Sequence, residues 1–362
     1  MTENNISKVS QYVSVYKEKI ENNGEDAMIR VINDKASLIG VFDGLGGSGA
    51  KKYHSANMKT GAYLSSRFVS TATKHWFEQI CSDNFPGNRQ ALLKTHIKAH
   101  LQTVKEAFDD QQKSKLKSKL SKEFPSTCAI AVCRPAQSGE IDIELYWAGD
   151  SRCYLLDVDG LHQLTTDDID SSNALDNISD DGRMNNIITL SSDFRLNNHH
   201  LRPKGPFFIF SATDGCFGYI STPMQFELRL LRNLEKSQNV ASFEKNLFNT
   251  FEEVAEDDFS LSGLFYCFRS FDEIKERFRK RRENLGEEIR KLQHADRKAV
   301  ADFWNNSYKD NYYRYAPKQA NDVSVASAQN RTSDSNSMTK PSAGQNRVQS
   351  KADRPCKESP KQ

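Results

Sequence analysis

The chain has 362 residues, enough for one large domain or two ordinary ones. Its hydrophobic fraction of 37% and formal net charge of +2 suit a normal core beside a solvated end. They give no whole-chain electrostatic argument for nucleic acid.

No run of about 18 apolar residues occurs, so no membrane span is predicted. The polar stretch Met1 to Gln11 lacks a signal-peptide core. The seven cysteines (Cys81, Cys128, Cys133, Cys153, Cys216, Cys267 and Cys356) are scattered and form no CxxC pair. They read as reduced thiols acting as small apolar residues in a cytoplasmic protein.

In chain order, Tyr12–Tyr16, Ala27–Ile32 and Ala36–Phe42 read as strands, the last ending at Asp43-Gly44. Residues 50–82 and 89–118 have helical spacing, separated by a breaker at Asp83–Asn88. Thr127–Cys133 and Ile141–Trp147 flank a hairpin turn, and Arg152–Val158 forms a third strand of that block. Residues 165–205, polar and rich in Asp and Asn, read as a long loop or small insert. Phe207–Ala212 is a buried-type strand that stops at Asp214-Gly215. Residues 223–255 read as one helix and Ser260–Phe268 as a last strand. Helices interrupting runs of strands without strict alternation predict an α+β layered domain.

Beyond residue 270 the character changes. Residues 271–304 are charged, with Ile274, Phe278, Leu285, Ile289, Leu292, Val300 and Phe303 mostly three or four apart, the pattern of an amphipathic helix. From 316 onward Ser, Asn, Gln, Lys and Pro dominate, which predicts a disordered tail. The expected organisation is a domain over 1–270, a helical extension over 271–315 and a polar tail over 316–362.

The residues that can carry chemistry are carboxylates at strand exits. Asp43, Asp214 and Asp257 each sit beside a strand end, where an aspartate can point into a cleft and a neighbouring carbonyl can reach a hard cation. Several converging carboxylates suit Mg²⁺ or Mn²⁺. One Asp-Gly is weak, because turns contain it constantly. The combination is more specific: Glu25-Asp26, Val41-Phe42-Asp43-Gly44-Leu45-Gly46-Gly47, Ala148-Gly149-Asp150-Ser151-Arg152, Ser211-Ala212-Thr213-Asp214-Gly215 and Asp257-Asp258-Phe259-Ser260-Leu261.

In that order and spacing the set resembles the metal-dependent protein phosphatase family (PPM, the type 2C Ser/Thr phosphatases), and DGLGG is similar to its bacterial branch. The resemblance covers about 12–270 and implies a β-sandwich of two antiparallel sheets flanked by helices. It implies two Mn²⁺ or Mg²⁺ ions, with Asp43 bridging them and the Gly44 carbonyl as a further ligand. Asp214 and Asp257 would bind the first ion, and Asp26, with Glu25 partly through water, the second. Asp150 would support a third, weaker ion together with Asp214. The implied reaction is hydrolysis of phosphoserine or phosphothreonine by direct attack of a metal-bridging hydroxide, in which Asp43, Asp214 and Asp257 are the essential carboxylates. The implied partners are a phosphorylated protein and a cognate Ser/Thr kinase or its targets.

The match has departures. The family usually has an arginine clamping the phosphate where this chain has Glu21. Lys19, two residues earlier, would share a strand face with it, and Lys19 or Lys17 is the expected replacement. Leu45 stands where eukaryotic members have a histidine. His54 and His162 read as surface or packing residues, and Cys216 as a packing cysteine. The Asp-rich run 167–181 reads as a solvated loop. Residues 309–362 carry ten Lys/Arg against five Asp/Glu, with no nucleic-acid recognition motif. The extension reads as a helix packed on the domain, as a solvated coil or, more sharply, as a docking helix for a partner such as a cognate kinase or a substrate. The rival to an enzyme is a PPM-fold pseudophosphatase that binds partners through this extension.

Overall fold

The computed structural model describes residues 9–82, 87–108, 121–169, 184–293 and 295–317. The chain divides into a compact unit, Met1–Pro317, and a second stretch, Lys318–Gln362. The second stretch, and with it the expected tail, lies outside the described residues.

Two five-stranded sheets form the centre. The first runs β1 (Val9–Lys17), β12 (Phe259–Tyr266), β11 (Phe207–Ala212), β8 (Arg152–Asp157) and β9 (Gly160–Gln163). The second runs β10 (Asn197–Leu201), β7 (Ile141–Ala148), β6 (Cys128–Pro135), β3 (Ser37–Phe42) and β2 (Ala27–Ile32). Every pairing is antiparallel. This is the sandwich of two antiparallel sheets flanked by helices that the motifs imply.

The apolar runs explain the layers. β3 is buried at every position because both its faces are covered. Ile39 and Val41 join Ala131 and Leu145 of the same sheet and Leu155, Ile209 and Leu264 of the other in the core between the sheets. Leu38 and Phe42, on the opposite face, pack with Ile130, Trp76, Phe77 and Ile97 under α1 (Gly61–Ser82) and α2 (Arg89–Phe108). On the outer face of the first sheet, Tyr154, Phe208, Phe210 and Phe265 pack with Phe226 and Phe243. Those two rings come from α4 (Pro223–Lys236) and α5 (Val240–Glu252). Each fully buried Phe or Leu contributes about 1.5–3 kcal/mol.

Several expectations need correction. Apart from a 3₁₀ turn at His54–Ala56, residues 50–60 are not helical. They form a small hairpin, β4 (Lys52–Tyr53) and β5 (Lys59–Thr60), because Asn57 and Met58 adopt left-handed φ values of 53° and 63°. The helix expected over 223–255 is two helices, since the Asn239 side chain caps a new start by accepting from the Ser242 amide at 2.9 Å. The expected loop 165–205 contains β10, an edge strand paired with β7 and hidden by its Asn and His residues. Within the described part of the Asp-rich run, Asp168 is buried, the Asp167 side chain is largely covered, and both are paired rather than solvated. Arg152 meets Asp167 at 2.6 Å, and Asp168 accepts from the Gly149 amide at 3.1 Å.

The extension is likewise segmented. α6 (Phe271–Leu292) starts at Ser270, whose hydroxyl accepts from the Glu273 amide, and α7 (Arg297–Phe303) starts at an Asp296 cap. A π-turn at Trp304–Tyr308 and α8 (Lys309–Tyr312) follow. α6 packs on α4, and α8 packs on β9 of the first sheet. Trp304 is 0% exposed, and Arg281 and Tyr308 both bind the buried Glu227 of α4. No helix among the described residues is long and apolar enough to cross a membrane.

Candidate functional site

Both sheets deliver carboxylates to one end of the sandwich. Asp43 leaves β3, Asp26 enters β2, Asp150 lies between β7 and β8, Asp214 opens α3 (Asp214–Phe217) after β11, and Asp257 precedes β12. The backbone fixes this placement. The Asp43 carbonyl accepts from the Thr127 amide at 2.8 Å and the Ser126 hydroxyl at 2.9 Å. The Asp43 amide donates to the Thr127 hydroxyl at 3.3 Å, and that hydroxyl meets Ser151 at 2.7 Å. Asp26 accepts from the Thr213 hydroxyl at 2.9 Å, which ties the two sheets together at the cleft.

The charges act on one another. Burial, then the charges of Asp214, Asp26, Asp150 and Asp257, hold the Asp43 carboxyl well above the usual range. Burial raises Asp26 as well, with Asp258 and Asp214 adding to it against the Thr213 hydrogen bond. Asp150 is pushed up to about 8 by burial and by Asp214 and Asp167. Glu25 is raised by burial, against the Thr60 hydroxyl that donates to it. Carboxylates that depress one another's ionisation in this way form a site whose missing partner is positive charge.

Three observations fit that partner being a hard cation. All donors are oxygens. Asp150 Oδ1 is buried without a hydrogen-bond partner. At Gly44 the DGLGG turn has no room for a side chain, since a Cβ there would sit 2.3 Å from the Ala62 carbonyl oxygen. Among the described residues, no three His, Cys, Asp or Glu form a closed metal-holding group. The carboxylates are spread across the cleft, an arrangement that suits ions bound by one or two carboxylates and several waters.

The expectation for Lys19 is corrected in its geometry. β1 ends at Lys17, so Lys19 and Glu21 lie in an exposed turn and share no strand face. Lys17 is paired with Glu252 at 2.9 Å. Lys19 lines a cavity of about 350 Å³ whose other walls include Glu25, Asp257 and Asp258. Lys52 and Lys59, from the β4–β5 hairpin, line it too. Neither was legible as a site residue, because their segment reads as helix. Asp258 also has a definite part. Its two oxygens accept from the Lys19 amide at 2.6 Å and the Glu25 amide at 2.5 Å, holding the Glu25-Asp26 turn over the cleft.

The remaining candidates behave as packing residues. His162 is buried, donating Nδ1 to the Asn311 carbonyl at 2.5 Å and facing Asp157 at 3.0 Å. Cys216 is buried with its thiol raised by burial and by Asp26 and Asp214, so it supplies no thiolate nucleophile. His54 lies exposed in a short 3₁₀ turn.

With this geometry in place, comparison with known proteins becomes informative. Residues 13–172 match the family model described as Protein phosphatase 2C. The fold matches the serine/threonine phosphatase Stp1 from Staphylococcus aureus at 17% identity, over 70% of this chain and 94% of that one, with a TM-score of 0.52. A bacterial serine phosphatase matches at 16% identity, over 71% and 97%, with a TM-score of 0.52. No curated relative matches the chain.

Proposed function

We propose that this chain, which carries a protein phosphatase 2C domain over residues 13–172 within a PPM-type fold, is a metal-dependent protein serine/threonine phosphatase. The observation that carries the reading is the convergence of Asp26, Asp43, Asp150 and Asp214 from both sheets. Burial and the neighbouring carboxylates hold Asp26, Asp43 and Asp150 above the usual range, and Asp150 holds a buried oxygen without a hydrogen-bond partner among the described residues.

Asp43 and the Gly44 carbonyl would hold two Mn²⁺ or Mg²⁺ ions between them. Asp214 and Asp257 would complete the first position, and Asp26, with Glu25 through water, the second. Asp150 and Asp214 would take a third, weaker ion. Bound divalent ions supply charge neutralisation for a phosphate dianion and a lowered pKa for water. The chain's own residues do the rest. Thr213 and Thr127 fix the carboxylate-bearing backbone. Asp258 holds the Glu25 turn. Lys19, Lys52 and Lys59 present positive charge to the phosphate in the adjoining cavity, in place of the arginine absent at position 21. The substrate is a phosphorylated protein, and its supplier a Ser/Thr kinase.

The test is hydrolysis of p-nitrophenyl phosphate and a phosphothreonine peptide with Mn²⁺, with EDTA and in Asp214→Asn. Metal-dependent turnover lost in the variant supports the enzyme. A folded protein with no turnover in any divalent ion supports a pseudophosphatase scaffold instead.

A further inference from the structure

The extension creates a groove on the face of the domain that it covers. Between α4 and the α6–α7 segment lies a cavity of about 560 Å³. Its apolar lining comes from Met224 and Leu228 of α4 and Ile289, Leu292 and Val300 of the extension. Met224 and Leu228 belong to the core cluster beneath, and Ile289 and Val300 are only partly buried against it.

The rim is charged in one sense. Arg229, Arg232 and Arg290 line the groove, and no carboxylate does among the described residues. These three guanidinium groups have no ion pair among the described residues, whereas their neighbours are paired, Arg281 with Glu227 and Arg282 with Glu235. Gly286 sits in the wall within α6. It is buried, and a Cβ there would stand 3.8 Å from Leu228, an ordinary contact, so packing against α4 does not require the glycine. In a helix interior glycine is otherwise destabilising by about 0.5–1 kcal/mol relative to alanine.

We propose that this groove docks an acidic amphipathic segment of a partner protein, with apolar side chains laid between α4 and α6 and carboxylates on Arg229, Arg232 and Arg290. The occupant is fixed by charge. Residues 318–362 of this chain carry eight Lys/Arg against four Asp/Glu and would meet an arginine rim with like charge. A helix-in-groove partner supplies both the apolar spacing and the counter-charge. Ser221 and Thr222, which line one end, belong to the link that follows α3, the helix opening at Asp214. A docked partner is therefore held beside the link to the acidic cleft. The inference concerns binding and does not depend on whether the cleft hydrolyses phosphate.

The experiment selects a displayed library of random 16-residue peptides against the full chain. A labelled synthetic copy of an enriched peptide is then titrated by fluorescence anisotropy. Enriched sequences are expected to be acidic, with Leu, Ile, Phe or Met at three- and four-residue steps. Arg229→Glu/Arg232→Glu and, separately, Gly286→Phe should each weaken binding at least tenfold while circular dichroism stays unchanged. Binding should weaken with salt in the wild type. Enrichment of basic or uncharged peptides, or binding that survives both variants, overturns the proposal. So does displacement of the tracer by a peptide of residues 318–362, or a wild-type dimer that light scattering shows dissolving in the variants.

Discussion

Replacing Arg281 by Met tests whether the extension is part of the folded core. Glu227 is 0% exposed and accepts three hydrogen bonds: from Arg281 Nε at 2.6 Å, from Arg281 Nη2 at 3.0 Å and from the Tyr308 hydroxyl at 2.5 Å. Arg281 therefore joins α6 to α4, and Tyr308 joins the π-turn to the same carboxylate. Arg281→Met keeps most of the packing of the stem but leaves a buried carboxylate with only the tyrosine. Breaking a buried pair from one side costs about 3–5 kcal/mol, which for a domain of this size lowers Tm by roughly 5–8 °C. Glu227→Gln in the same background removes the stranded charge while keeping an acceptor for Tyr308, so the double variant should recover roughly half of that loss. Urea denaturation, followed by Trp304 fluorescence in a Trp76→Phe/Trp147→Phe background and by far-UV circular dichroism, measures both. A loss under about 1 kcal/mol, or Trp304 unfolding at a lower midpoint than the sheets, would refute the view that 271–315 is a layer of the domain.

Lys59→Ala and Lys52→Ala should each raise KM for a phosphothreonine peptide about three- to tenfold, roughly 1 kcal/mol of lost phosphate attraction, with kcat within about twofold. Lys59→Arg should restore it, and steady-state kinetics at fixed Mn²⁺ decide the matter. Asp157, away from the cleft, is buried, which alone would raise its pKa. The His162 hydrogen bond and charge outweigh this and bring it below the usual range. A lowered carboxylate pKa means stability that is present at neutral pH and lost as pH falls below about 4. Asp157→Asn should cost about 1.5–3 kcal/mol near pH 7 and flatten the acid limb of the stability profile, measured by urea midpoints from pH 3 to 7. An unchanged acid limb would reject the assignment.

The sandwich was legible because its strands are unusually explicit. Ser37–Phe42 is mostly apolar, buried throughout and leads into an Asp-Gly exit, and Phe207–Ala212 does the same. The carboxylates were legible for the same reason, since each lies beside a strand end. What stayed hidden depends on tertiary context. Asn197–Leu201 is a strand only because β7 offers an edge to pair with, and its polar residues hide the alternation. Lys52 and Lys59 reach the cavity because left-handed Asn57 and Met58 turn their segment into a hairpin, which helix-like composition does not show. Arg229, Arg232 and Arg290 come to one rim only through the packing of α6 on α4.

The central claim is that this acidic cleft holds divalent ions for phosphate hydrolysis. It is tested most directly by calorimetric titration of Mn²⁺ into the metal-stripped protein, with phosphothreonine turnover measured on the same preparation. Saturable Mn²⁺ binding that restores turnover, with both lost together in Asp43→Asn, is the predicted result. Turnover that persists in EDTA, or Asp43→Asn binding Mn²⁺ as the wild type does, would contradict it.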